Sequence, residues 1–178
     1  KISNEKLKHR AIFIGAFDPH KNLKELLITI PKLLNDSPLQ EFIIVGSGEH
    51  IKIIEELKER FPESIKHYKS LSREECLELI QSSYFAYSPA TRGGWGFIGD
   101  SWAMSTPVVI THNHYGFTDG IDSIVTSTDE IVNRIKAIYE DNGLYYVDAV
   151  RLLSKPEYCQ GTKIKKLDAS NNFMELNQ

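Results

Sequence analysis

The residues between Ser88 and Val109 are suited to holding a phosphate, because a stretch rich in glycine leads there into a short helical run. The glycines are Gly93, Gly94, Gly96 and Gly99. Glycine adopts backbone angles closed to other residues and brings N–H groups close to an anion, and the N-terminus of a following helix adds positive potential. A simple turn needs fewer glycines. The stretch therefore predicts approach of the backbone to a ligand, with plain turn formation as the alternative.

Three charged residues lie near this stretch or near another predicted turn. Lys21 lies where a helix is predicted to begin, and a cation there opposes the helix dipole unless an anion compensates. This favours a phosphate contact over a solvated lysine. Arg92 precedes the glycines and is either solvated or a source of phosphate-binding charge, for which a guanidinium is suited. Asp100 follows them, at a place where an acid commonly caps or opens a helix.

Alternating strands and helices must position these residues. Apolar runs predict strands near residues 10–17, 42–45, 65–68, 84–87, 107–111 and 123–125. Helical periodicity and a capping-box pattern predict helices over 22–34, 51–61, 72–80, 100–104 and 128–139. Pro31 should kink or shorten the first of them. The alternation predicts an α/β fold, a Rossmann-like parallel sheet of about six strands with helices on both faces. Ligands bind such sheets beyond the carboxyl ends of the strands.

The composition suits one compact domain. The chain has 178 residues, of which 41% are hydrophobic, and a net charge of −3, enough for a proper core. Residues 1–155 are predicted to form the domain, and residues 156–178 an irregular tail that is either disordered or the truncated start of a helix. The first residue is Lys1 and not Met, which favours a portion of a longer protein.

Several classes of function are disfavoured. The near-neutral charge without a dense basic run argues against nucleic acid as a partner, and no apolar stretch approaches the roughly 20 residues of a membrane span. Cys76 and Cys159 give neither a disulfide framework nor metal-ligand spacing, so a reducing, cytoplasmic location is expected. His112 and His114 lack the third protein ligand that a zinc site usually needs. They are interpreted as a pair at a strand end that faces the binding cleft, and no metal is expected.

Four loosely spaced motifs occur in a characteristic order. They are Gly15 to Asn22, Ile43 to Gly48, Gly94 to Gly96, and Asp100 to Val108. With them, residues 12–139 resemble the C-terminal, donor-binding half of a GT-B fold glycosyltransferase, closest to the retaining family-4 (group 1) enzymes. The resemblance implies transfer of a sugar from a nucleotide-diphosphate sugar, with retention and without a metal or other cofactor. It also implies an N-terminal acceptor domain outside this chain, and it leaves open peripheral membrane contact through that half.

The resemblance assigns roles to particular residues. Lys21 and Asp100 would be catalytic, with Lys21 on the diphosphate and Asp100 on the nucleotide ribose. The implied nucleotide and phosphate contacts are Gly15, Lys21, Gly46, Ser47, Gly48, Arg92, Gly93, Gly94, Trp95, Gly96, Phe97 and Asp100. Trp95 either packs in its loop or covers a sugar face. N–H dipoles and a lysine held in place would stabilise the charge that grows on the departing diphosphate.

The chain also departs from the family pattern. Ala16 stands where the family has an arginine, and Arg92 or Gly93 stands where it has the first of two glutamates. Residues 115–119 resemble a weakened form of its Gly-Gly-x-Pro-Glu loop. The alternative is therefore a catalytically degenerate nucleotide-binding or regulatory subunit. A dehydrogenase is disfavoured because the first strand lacks the following glycine fingerprint, and an epimerase would need catalytic acids that the sequence does not place.

Overall fold

The computed structural model describes residues 7–140, 165–167 and 173–175. The strands of the first range are β1 (Leu7–Ile14), β2 (Glu41–Val45), β3 (Ile65–Tyr68), β4 (Ser83–Ser88), β5 (Val108–Ile110) and β6 (Ile124–Val125). The helices are α1 (Leu26–Asp36), α2 (Ile51–Arg60), α3 (Arg73–Ser82), α4 (Trp95–Ala103) and α5 (Ile131–Glu140). Two short 3-10 turns, Pro19–Lys21 and Leu23–Glu25, precede α1.

The strands of the first range form one parallel sheet of six, in the order β3-β2-β1-β4-β5-β6. This confirms the predicted α/β, Rossmann-like fold. The connections run in one direction from β1 to β3 and in the other from β4 to β6. The order therefore reverses between β1 and β4, and a crevice opens beyond the carboxyl ends of these two strands.

The helices cover both faces of the sheet because alternate strand residues point to opposite sides. Ala11 and Phe13 of β1 lie in one apolar layer, to which α1, α2 and α5 contribute. Ile12 lies in the other layer, with side chains of α3 and α4 such as Ile80 and Trp102. The central strand is thus buried on both sides, which explains its unbroken apolar sequence.

Helix α1 differs from its prediction at both ends. Its residues start at Leu26 because Asn22, with φ of +51°, separates the two 3-10 turns that come before. The helix continues through Pro31 to Asp36, so the proline does not shorten it. Ile30 and Leu33 are fully buried, and their burial offsets the roughly 3 kcal/mol that a proline costs within a helix.

Helix α4 begins at Trp95 rather than at Asp100, so the glycine loop is shorter than predicted. Gly96 and Gly99 are helical, and only Gly93 and Gly94, with φ of +65° and +92°, remain in the loop. Burial of Ile98 and Trp102 in this helix outweighs the low helix propensity of glycine, which costs about 1 kcal/mol per residue.

Part of the C-terminal segment is described as well. Lys165–Leu167 (β7) pairs antiparallel with Phe173–Glu175 (β8), where the sequence shows no strand pattern and an irregular tail is predicted. The rest of residues 156–178, with Cys159, and the end of the predicted domain after residue 140 lie outside the described residues. Among the described residues, no helix has the length and apolar character needed to cross a membrane.

Candidate functional site

A cleft of about 570 Å³ opens at the crevice between β1 and β4. Its walls come from the loop after β1, the start of α3 and the first two turns of α4. Six of the residues predicted to bind the nucleotide line it: Gly15, Lys21, Gly94, Gly96, Phe97 and Asp100. The predicted edge of the sheet thus brings together residues that are far apart in the sequence.

Lys21 reaches the cleft from a turn that Asp18 holds. The Asp18 carboxylate accepts hydrogen bonds from the backbone N–H groups of His20 at 2.9 Å and of Lys21 at 3.2 Å. The Lys21 ammonium lies beside the glycine loop, since a Cβ placed on Gly93 would be 3.6 Å from its Nζ. Among the described residues, no carboxylate lies within ion-pair distance of this nitrogen. Its positive charge is therefore available to an anion.

The first turn of α4 presents backbone donors to the same cleft. Gly94 precedes the helix, and its carbonyl accepts the first intrahelical bond from the N–H of Ile98 at 3.1 Å. In a first helical turn the backbone N–H groups point away from the helix and are open to other acceptors. Of the residues in this turn, Gly96 and Phe97 line the cleft. The positive end of the helix dipole thus lies near Lys21.

Asp100 forms a two-point ion pair with Arg73 across the cleft. Nη1 and Nη2 of Arg73 donate to the two carboxylate oxygens at 3.0 and 2.8 Å, and these hydrogen bonds raise the pKa of the guanidinium above its ordinary value. Asp100 lies in the second turn of α4, so the prediction that it caps or opens a helix is wrong. The pair neutralises this carboxylate, which leaves Lys21 and Asp18 as the other charged side chains of the cleft lining.

Arg73 is a cleft residue that the sequence reasoning missed. It is the first residue of α3 and directly follows the N-cap residue Ser72. Ser72 and Glu75 form a capping box, in which the Ser72 hydroxyl accepts from the N–H of Glu75 at 3.2 Å and the Glu75 carboxylate accepts from the N–H of Ser72 at 2.7 Å. The capping box was predicted and is confirmed. It fixes the start of α3, but nothing in the sequence connects Arg73 with a carboxylate on another helix.

Gly46, Ser47 and Gly48 do not line the cleft. They lie against the loop that follows β1, where the N–H of Phe17 donates to the carbonyl of Ser47 at 2.9 Å. Gly46 has φ of +149°, and a Cβ there would lie 1.9 Å from the carbonyl oxygen of Gly15. These glycines therefore allow the loop after β2 to pack closely against the loop after β1, which contains Gly15.

Comparison with known proteins places the chain in a family. The family profile described as glycosyl transferases group 1 matches residues 8–141. The chain belongs to this family. The match confirms the resemblance stated from the motifs, and it includes every residue that lines the cleft.

Solved structures show the same fold for this glycosyltransferase domain. A variant of S. aureus TarM in complex with fondaparinux, alpha-GlcNAc-glycerol and UDP has a TM-score of 0.64 at 15% identity over 85% of this chain and 33% of that chain. The pneumococcal O-GlcNAc transferase GtfA in complex with UDP and GlcNAc has a TM-score of 0.59 at 18% identity over 85% and 33%. The C-terminal domain of the group 1 protein LpcC from Francisella tularensis has a TM-score of 0.66 at 14% identity over 85% and 86%.

The chain spans about a third of the length of the first two of these proteins, and it matches most of the isolated C-terminal domain of the third. It therefore has the fold of the C-terminal domain of a GT-B glycosyltransferase. A sequence comparison with curated proteins finds no match.

Three other predicted contacts of the glycosyltransferase domain, Arg92, Gly93 and Trp95, do not line its cleft. Arg92 is exposed on the glycine loop. Trp95 packs edge-on against Tyr115, with ring centroids 4.9 Å apart, and against Phe117 at 5.6 Å. Of its two predicted roles, the structure shows the packing.

A buried acid behind the cleft was also missed. Glu25 is only 7% exposed. Its carboxylate accepts hydrogen bonds from the Tyr87 hydroxyl at 2.6 Å, from Asn22 Nδ2 at 2.8 Å and from Thr111 Oγ1. Nε2 of His112 lies 2.6 Å from it. Burial and the nearby carboxylate raise the pKa of Tyr87 well above its ordinary value.

This cluster ties the turn that carries Lys21 to the ends of β4 and β5. Nothing in the sequence signals this burial, because Glu25 lies on the side of the predicted helix opposite Leu23 and Ile30. His112 thus contacts the carboxylate of Glu25, while Nε2 of His114 lies 3.2 Å from the carbonyl oxygen of Gly93. Residues 7–140 contain no group of three or more His, Cys, Asp or Glu side chains that could hold a metal ion.

Proposed function

We propose that this chain is the donor-binding domain of a retaining glycosyltransferase that moves a sugar from a nucleoside-diphosphate sugar to an acceptor. One observation carries the proposal: the ammonium of Lys21, which forms no ion pair within residues 7–140, and the first-turn amides of α4 face the same cleft, at the point where the strand order reverses. Both groups attract anions, and a diphosphate is the anionic part of such a donor. UDP is present in the TarM and GtfA complexes, which supports a nucleotide as the ligand.

In the proposed reaction, this domain activates the leaving group, which is the nucleoside diphosphate. In the proposed complex, the diphosphate lies over Lys21 and the amides of residues 93–97. Negative charge grows on it as the glycosidic bond breaks. Because the lysine and the amide dipoles already point to that place, little reorganisation is needed to stabilise the charge. The proposal requires no metal ion.

Asp100 is proposed to bind the nucleotide ribose. Each of its oxygens accepts one N–H from Arg73, and a carboxylate oxygen has two lone pairs. Each oxygen can therefore accept one further hydrogen bond, from a ribose hydroxyl, without losing the ion pair. Arg73 would hold the carboxylate in a fixed orientation for this contact.

The acceptor is proposed to bind to an N-terminal domain outside this chain. The length of the TarM and GtfA chains relative to the part matched here supports this arrangement. Contact of that half with a membrane surface and the cytoplasmic location expected from the cysteine count stay predictions.

A second candidate is a domain of the same family that binds a nucleotide but does not transfer a sugar. It is favoured by Ala16, which lines the cleft where the family has an arginine. A bound diphosphate would then have one cation, Lys21, instead of the two that the family pattern supplies. Nucleotide binding by this chain, combined with absence of sugar transfer by the full-length protein, would favour this candidate.

Calorimetric titration of the chain with UDP, GDP and ADP tests the proposal. One nucleotide should bind best, and Lys21→Ala should weaken it about tenfold or more, because a hydrogen bond to a charged group contributes about 1.5–3 kcal/mol. The matched control is Lys58→Ala, which removes an exposed lysine in the last turn of α2 and should leave the affinity unchanged. If wild-type protein binds none of the three nucleotides, the proposal is wrong.

A pair of glycines in α4 tests where the phosphates lie. A Cβ on Gly96 or on Gly99 meets no atom within 4 Å, so alanine at either position should raise the free energy of unfolding by about 0.5–1 kcal/mol. Only Gly96 lines the cleft. Gly96→Ala should therefore lower the nucleotide affinity and Gly99→Ala should not. Equal affinities in the two variants would contradict a diphosphate over the first turn.

A further inference from the structure

The hydroxyl of Tyr115 meets the glycine loop at its tightest point. It donates a hydrogen bond to the carbonyl oxygen of Gly93, and a Cβ on Gly94 would lie 2.7 Å from it. Burial raises the pKa of Tyr115 to about 12, so the hydroxyl keeps its proton at neutral pH and remains a donor. Tyr115 comes from the loop after β5, far from the glycines in sequence.

The ring of Tyr115 is fixed by its neighbours. It stacks on Phe117, with ring centroids 4.7 Å apart and planes at 10°, and it packs edge-on against Trp95 at 4.9 Å. Phe117 is 4% exposed. The hydroxyl therefore has little freedom to leave the carbonyl. Nε2 of His114, 3.2 Å from the same oxygen, gives Gly93 a second contact from this loop.

This fixation matters because two consecutive glycines otherwise leave the loop free to adopt many conformations. The peptide between Gly93 and Gly94 sets the direction in which α4 begins. The Lys21 ammonium lies beside the same residue. A carbonyl held at Gly93 thus determines how the lysine and the amides of the first turn are placed relative to each other.

We propose that Tyr115 is a positioning residue, whose hydroxyl holds the Gly93 carbonyl so that α4 and Lys21 present a preformed site to the diphosphate of the donor. The inference rests on the proposed function and extends it to a residue that does not line the cleft. Preorganisation of this kind raises affinity because the ligand need not order the loop.

The experiment compares Tyr115→Phe with Tyr84→Phe, each of which removes one hydroxyl that donates to a backbone carbonyl. Both variants are titrated with UDP, GDP and ADP and with the corresponding nucleosides, and the nucleotide that wild-type protein binds best is used for the comparison. Tyr115→Phe should lower the affinity for that nucleotide about five- to tenfold, the effect of one hydrogen bond. The nucleoside affinity and the thermal midpoint should match those of Tyr84→Phe. His114→Ala should show the same pattern more weakly.

The outcomes separate the two proposals. If wild-type protein binds a nucleotide and Tyr115→Phe binds it equally well, the positioning role is wrong while the proposed function stands. An equal loss for the nucleotide and its nucleoside also contradicts the positioning role, because the effect would not act through the phosphates. If wild-type protein binds no nucleotide, both proposals fail.

Discussion

Gly46 is the position at which one added methyl group should damage both the fold and the cleft. The Cβ of an alanine there would lie 1.9 Å from the carbonyl oxygen of Gly15 and 2.9 Å from Cε1 of Phe17. Non-bonded carbon and oxygen atoms rarely come closer than about 3.3 Å. Since the first obstacle is backbone, the loops after β1 and β2 have to move apart by more than about 1 Å.

The structure allows the cost of this movement to be estimated. Two of the hydrogen bonds between the β1 and β2 segments lie on either side of Gly46: the N–H of Gly15 donates to the Val45 carbonyl at 3.0 Å, and the N–H of Phe17 donates to the Ser47 carbonyl at 2.9 Å. Their loss costs about 0.5–1.5 kcal/mol each, and alanine at the unusual φ of Gly46 costs about 1–3 kcal/mol. Gly46→Ala should therefore lower the free energy of unfolding by about 2–6 kcal/mol.

Urea unfolding measures this effect, and Gly120→Ala is the matched control. Gly120 also has positive φ, +72°, but a Cβ there meets no atom within 4 Å. Gly120→Ala should be destabilised only by backbone strain. The difference in the free energy of unfolding between the two variants therefore measures the cost of moving the loops apart. If Gly46→Ala is no less stable than Gly120→Ala, the argument from close backbone contact is refuted.

Two further predictions concern polar groups away from the cleft. Tyr87→Phe should lower the free energy of unfolding by about 1–3 kcal/mol, since its hydroxyl is the 2.6 Å donor to a buried carboxylate; the longer 3.3 Å bond of Tyr84 predicts a smaller loss in Tyr84→Phe under the same denaturant titration. Burial alone would raise the pKa of Glu41, but hydrogen bonds from Lys66 and Arg10 lower it overall. Its stabilising contribution is therefore present at neutral pH and is lost as the pH falls below about 4.5. The free energy of unfolding, measured from pH 7 to pH 3, should fall less steeply in Glu41→Gln than in wild-type protein. An equal pH dependence in the two proteins would contradict the stabilising role of Glu41.

The strands could be predicted because their signal is local. A strand buried on both faces must be apolar at every position, and the runs in β1, β2 and β4 have this property. The start of α3 could be predicted for the same reason, since Ser72 and Glu75 form a capping box within four residues. The start of α4 was not. Gly96 and Gly99 indicate a loop, and only the sheet, which buries Ile98 and Trp102, makes the helix favourable.

The site was partly predictable for the same reason. The carboxyl ends of parallel strands meet at one edge, so the pattern placed Gly15 and Lys21 near the glycine loop. Arg73 was missed because its partner lies on another helix, and the pairing depends on how α3 and α4 pack. A glycine that permits backbone packing and one that admits a nucleotide look alike in sequence, so the close packing of Gly46 and Gly48 against the loop after β1 was not foreseen. Their contact with the nucleotide stays a prediction.

The strand order also constrains how the chain folds. One edge of β1 pairs with β2, which follows it closely in the chain. The other edge of β1 pairs with β4, where Leu7 is opposite Ser83. During synthesis, that edge of an apolar strand stays open until β3 and α3 have been made. Contacts so distant along the chain slow folding and leave an unpaired edge open to association. The pairing of β1 with β4, which creates the cleft, is therefore expected to be the late, rate-limiting event in folding.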